Sequence, residues 1–157
     1  MLALLALAGP VGAQAPGTGR PISGAGPVPS VVGVSSCGVV TGDVPLFMGV
    51  AACANQAEAE VEQPMPGATF TALRCVTSAG IGLGRTATVT ARTGPCGTLA
   101  DATQLRCTIT GGAGRTRCTS GPVLLTVPAE QCLTLRITPS GPFAVPATIN
   151  CTLERSA

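Results

Sequence analysis

Histidine, tryptophan, tyrosine and lysine are absent from this 157-residue sequence, and phenylalanine occurs three times (Phe47, Phe70, Phe143). Lack of histidine removes the commonest general base and the commonest metal ligand together. Lack of indole and phenol rings removes the usual platforms for stacking sugars and bases. Charge is scarce as well: 10% of residues are charged, where an average soluble domain carries about 25%. The nine cations are all arginine (Arg20, Arg74, Arg85, Arg92, Arg106, Arg115, Arg117, Arg136 and Arg155), and seven carboxylates leave a net charge of +2. Arg115 and Arg117, with Arg106 nearby in sequence, form the densest basic group, far short of the basic stripe that nucleic acid requires, so no nucleic-acid partner is expected. No segment reaches the ~18 uninterrupted apolar residues of a spanning helix.

What the sequence does have is hydrophobic substance, with 45% apolar residues alongside 21 glycines and 14 prolines. That is enough for a core and too little Gly and Pro for a low-complexity chain, so one folded domain is expected. Val, Leu, Ile and Ala supply the core, and β-branched side chains pack well on a pleated sheet. At the N-terminus, the apolar run Met1–Ala8 ends at Gly9-Pro10, and small residues follow at Val11-Gly12-Ala13. This pattern predicts a secretion signal over residues 1–13, cleaved after Ala13, with no membrane span left afterwards. Residues 14–30 are rich in Gly and Pro without a three-residue period and read as a linker, leaving residues 31–157 as the folded domain.

Eight cysteines, Cys37, Cys53, Cys75, Cys96, Cys107, Cys118, Cys132 and Cys151, lie after the signal. An even number in an exported chain predicts four disulfides. Zinc sites are usually built from two short chelating clips, and no two of these cysteines are close enough in sequence to form one, so no metal and no other cofactor is expected. One pairing follows from counting. If Gly111–Gly114 is a four-residue hairpin loop, Thr110 opposes Arg115 and Cys107 opposes Cys118, within the span of a disulfide; such a short loop is worth roughly 2 to 3 kcal/mol. The same counting places Cys132 and Cys151 on opposite faces, and puts Cys96 and Cys132 near one end of an up-and-down arrangement. The pairing of the remaining six stays open.

Strand signals recur at short intervals from Val31 onward. The clearest is Thr86–Thr93, where Ala87, Val89 and Ala91 share one face and Thr88, Thr90 and Arg92 the other. Similar runs occupy 68–77, 104–110, 116–119, 123–127, 132–138 and 147–153, with shorter ones at 31–34, 38–41 and 44–52. Residues 57–62 favour helix by composition and strand by the alternation of Glu58, Glu60 and Glu62, and read as an edge strand whose charges discourage pairing. The fold class expected is an all-β, antiparallel, disulfide-stabilised sandwich.

Few residues offer chemistry. Ser35, Ser36 and Ser120 have no base and read as turn residues. Asp43 and Asp101 are too few for calcium. Glu58, Glu60 and Glu62 share one face instead of flanking a cleft, against a glycosidase. Asn150-Cys151-Thr152 fits a glycosylation sequon with a half-cystine at its centre. No catalytic residue is expected.

The order Gln63–Arg74, Arg85–Arg92, Leu105–Cys118, Val123–Val127 and Cys132–Gly141 resembles bacterial exported jelly-roll domains related to the complement and tumour-necrosis-factor heads, which cap collagen-like stalks on surfaces. The resemblance covers about residues 60–155. It implies a jelly-roll-like sandwich, a homotrimer, and a non-catalytic surface-display or adhesion domain that is secreted or held at the cell surface. The alternative is a monomeric secreted inhibitor or ligand-binding module engaging a partner through loops such as Gly94–Gly97 or Pro139–Phe143.

Overall fold

The computed structural model describes residues 31–50 and 52–156. The expected signal and linker lie outside these described residues. Among them eight strands form: β1 (Val31–Ser35), β2 (Leu46–Met48), β3 (Gln63–Thr77), β4 (Thr86–Gly94), β5 (Ala100–Thr110), β6 (Arg117–Thr119), β7 (Leu125–Pro139) and β8 (Ile149–Arg155). Every pairing is antiparallel.

One hydrogen-bonded sheet folds over itself into two leaves, and the hinge is the length of β3 and β7, each 15 residues. Their N-terminal halves pair with each other from Gln63 to Phe70 and Leu125 to Leu133. Their C-terminal halves then part. β3 from Phe70 onward pairs with β8 and β6, giving a first leaf ordered β1-β8-β3-β6. β7 from Cys132 onward pairs with β2 and β4, giving a second leaf ordered β2-β7-β4-β5. This is a jelly-roll order, and the sandwich expected from the alternation is the fold.

The bend in β7 has a local cause. Between the pairs Pro64–Cys132 and Pro66–Ala129, one residue of β3, Met65, stands against two of β7, Glu130 and Gln131, and Glu130 takes φ 69°. An extra residue in a left-handed conformation is a β-bulge, which bends the strand and steepens its twist. The two runs expected at 123–127 and 132–138 are therefore one strand carried through a corner.

Alternation sorts the faces. Leu73, Cys75, Cys151 and Leu153 point inward from the first leaf, and Val89, Leu105, Ile109, Leu133, Leu135 and Ile137 from the second, all buried in one continuous core. Among fully buried large side chains, Phe70 is the one aromatic, so aliphatic residues do fill the space between leaves.

Three local expectations are corrected. Residues 57–62 do not form an edge strand: Glu58–Glu60 is a single 3-10 turn, closed by the Val61 N–H on the Glu58 carbonyl. Expected strands at 38–41 and 44–52 shrink to a single Val40–Ala147 bridge and the three residues of β2. Gly111–Gly114 does not fold into a hairpin joining β5 to β6. Instead Gly111 donates to the Arg85 carbonyl, and a Cβ there would overlap the Gly82 carbonyl oxygen. The glycines let two loops pack backbone to backbone, and β6 is delivered across to β3 in the other leaf.

Candidate functional site

All eight cysteines are paired: Cys37–Cys53, Cys75–Cys151, Cys96–Cys132 and Cys107–Cys118. Cys75 and Cys151 are direct register partners on β3 and β8, and Cys118 of β6 sits beside Cys75 on its other flank. Cys107 reaches Cys118 from the opposite leaf with Cα atoms 5.6 Å apart. The bridge thus ties the two leaves through the core, a different route from the hairpin geometry expected for the same two residues. Sulfurs of Cys75, Cys107 and Cys118 lie within 4.8 Å of one another, and all three are committed to disulfides.

The outward face of the second leaf carries a charge network. Arg92 on β4 donates through Nε to Glu58 and through Nη1 to Asp101, each at 2.6 Å, and through Nη2 to the Leu99 carbonyl at 2.5 Å. Arg136 on β7 reaches the other Asp101 oxygen at 2.5 Å, and the Thr134 hydroxyl donates to Glu58 at 2.7 Å. The Phe47 ring covers Arg92, with the guanidinium carbon 5.9 Å from its centroid. The side chains of Arg92 and Glu58 are only 16% and 18% exposed. The Arg92 guanidinium is held above its ordinary range, first by the Glu58 hydrogen bond, with burial opposing and Asp101 assisting. A raised folded-state value means this stabilisation is complete at neutral pH and is lost only at strongly alkaline pH. Chemically the network fastens the 3-10 turn to the sheet: Arg92 spends all three of its nitrogens on Glu58, Asp101 and the Leu99 carbonyl, while the Nε of Arg136 is buried without a partner among the described residues.

Of the other sequence candidates, Glu62, Asp101, Ser36 and Ser120 are engaged by protein groups, and Glu60 and Asp43 face solvent. Glu62 accepts the Gly97 N–H at 2.6 Å, Glu60 is exposed, and both oxygens of Asp101 are held, while Asp43 lies exposed in the β1–β2 connection. Ser36 is buried and accepts the Ile149 N–H, and Ser120 accepts the Leu73 N–H. These are turn and strand-end hydrogen bonds, as their neighbours in sequence suggested. The Gly94–Gly97 loop is tied down by Glu62 and by Cys96.

The outward face of the first leaf differs. Register sets Gly33, Thr152, Arg74 and Thr119 in one row across β1, β8, β3 and β6, and Ser35, Asn150, Val76 and Arg117 in the next. Two cavities open here and share Asn150 and Thr152. One, of about 430 Å³, lies beside the Cys37–Cys53 bridge. The other, of about 400 Å³, is lined by Arg74, Val76, Arg117, Thr119, Asn150 and Thr152. Sequence reasoning missed this cluster because its members come from three strands far apart in the chain, and the signal it followed, Arg115-Thr116-Arg117, points only to an exposed strand.

No protein-family model matches the chain, and no curated protein matches its sequence. Among solved structures it is similar to that of Eiger TNF from S. frugiperda, with a TM-score of 0.42 and 13% identity, over 83% of this chain and 94% of that one.

Proposed function

We propose that the protein is an extracellular, non-catalytic display or adhesion domain. The observation that carries this reading is the disulfide framework: all eight cysteines are paired, and bridges close the first leaf, both flanks and the space between leaves. Such density belongs to oxidising compartments, where a glutathione pool does not reduce it. It is supported by the sequence, which has no histidine, and by Ser36, Ser120, Glu58, Glu62 and Asp101, whose partners are structural. Among the described residues, no helix is long and apolar enough to cross a membrane. N-terminal sequencing of the protein recovered from culture medium tests export; a mature start at Gln14 is expected, and retention of the full chain inside cells overturns the reading.

Assembly as a homotrimer belongs to the same proposal. Light scattering on size-exclusion eluate of the oxidised protein at several concentrations is expected to give three chains. A strict monomer instead favours the second reading, a secreted ligand-binding module. The cavity bounded by Arg74 and Arg117 on an otherwise small-residue sheet face is the observation behind that alternative. Neither reading includes catalysis, so no turnover of esters, peptides or glycans above a heat-inactivated control is expected.

A further inference from the structure

We infer that the cavity on the first leaf is a receptor for a small organic carboxylate with a short apolar body. The case rests on which hydrogen-bonding atoms are already used. Asn150 accepts the Ser35 hydroxyl through Oδ1 at 2.6 Å, which fixes its amide and leaves the Nδ2 donors without a partner among the described residues. Thr119 accepts the Gly121 N–H through Oγ1, so its own proton is free to point outward. Arg74 spends Nε on Glu154, leaving its two Nη groups, and Arg117 is exposed and takes part in none of the ion pairs among the described residues. Thr152 adds a hydroxyl, and no carboxylate lines the cavity. Its polar side chains therefore offer unspent donors from two guanidiniums, an amide and two hydroxyls.

Shape selects within the anions. Planar guanidinium forks match a carboxylate with two parallel hydrogen bonds. Between Arg74 and Arg117, the exposed Val76 side chain gives an apolar floor, 40% accessible, that an inorganic ion would leave wet. A volume of about 400 Å³ fits a carboxylate with a few carbons attached. Among the acids, Glu58, Glu62 and Asp101 are held on the other leaf, and Glu154, on this leaf, engages Arg74 through Nε and leaves its Nη groups to the cavity.

This site gives the ligand-module reading a chemical class and rests on the extracellular proposal only for where the ligand is met. A chain that binds the carboxylate but is not exported would sink the first proposal and leave this one standing. The test is calorimetric titration of the oxidised full chain at low salt with N-acetyl-leucine, hexanoate, N-acetyl-leucinamide and inorganic sulfate. Saturable one-to-one binding of a carboxylate and none of the amide is expected; preference between N-acetyl-leucine and hexanoate distinguishes a peptide terminus from a fatty acid. Arg117→Gln is expected to weaken binding about tenfold, and Arg106→Gln, an exposed cation on the opposite leaf, to leave it unchanged. Asn150→Asp, which places a carboxylate among the donors, is expected to abolish it, giving a second variant should the first fail to fold. Equal binding of the amide, equal loss in Arg106→Gln, or sulfate binding as tightly as N-acetyl-leucine would overturn the inference.

Discussion

The two outer faces of the sandwich are built from similar residues, threonine and arginine on alternate positions, and end in opposite electrostatic states. On the second leaf, Arg92 and Arg136 meet Glu58 and Asp101 within 2.6 Å, and the network is mostly shielded from water. On the first, the one ion pair among the described residues, Arg74 with Glu154, leaves the arginine side chain 62% exposed, and Arg117 faces solvent. The difference lies in where acids arrive. The β2–β3 connection folds Glu58 and Glu62 over the second leaf, whereas among the described residues the first receives a paired carboxylate only from β8, through Glu154. Similar strand chemistry thus becomes a structural fastening on one side and an open donor surface on the other.

The comparison can be tested in order of size. The first leaf is held covalently, so removing Cys75–Cys151 as the double alanine variant is expected to cost about 4 kcal/mol, its closed loop being the longest of the four. Removing Cys107–Cys118, whose residues are 11 apart, is expected to cost about 3 kcal/mol by the same loop-entropy argument. Denaturant midpoints of the two variants give the order, and a reversal would show that the tie between leaves outweighs the tie within one.

Next in size comes the contrast between the ion pairs. Glu58→Ala leaves the shielded Nε of Arg92 and the hydroxyl of Thr134 without their acceptor and is expected to cost about 2 kcal/mol, while Arg74→Ala is expected to cost less than about 1 kcal/mol. Equal losses would break the distinction between the faces. Raising salt to 1 M shortens the screening length to about 3 Å, so carboxylate binding at the first leaf is expected to fall steeply in calorimetry while the thermal midpoint changes little. The smallest effect is Thr108→Val on the second leaf, which removes the 3.1 Å hydroxyl contact with Thr88. Being exposed, it is expected to stay within about 0.5 kcal/mol in a melting experiment.

Legibility in the sequence followed the range of the interactions. Alternation in Thr86–Thr93 marked β4 to within one residue, because one face of a strand is read locally. Pro64 and Pro66 hid the start of β3, since proline reads as a break, yet the register shift between them makes room for both within the strand. The glutamates at 58, 60 and 62 alternate like a strand, but Glu58 is drawn to Arg92 of β4, 34 residues away, and the segment turns to deliver it. The donor cavity was illegible for the same reason.

The sequence by itself determined the class of fold, the outward and inward sides of most strands, and an oxidised framework of paired cysteines. Those depend on period and parity, which neighbouring residues carry. Only the tertiary structure decided which leaf each strand joins, that β6 crosses to β3 instead of turning back on β5, and which arginines meet acids. These outcomes depend on contacts between residues tens of positions apart, where the bend in β7 and the close packing of Gly82 and Gly111 select among partners that the local pattern leaves equivalent.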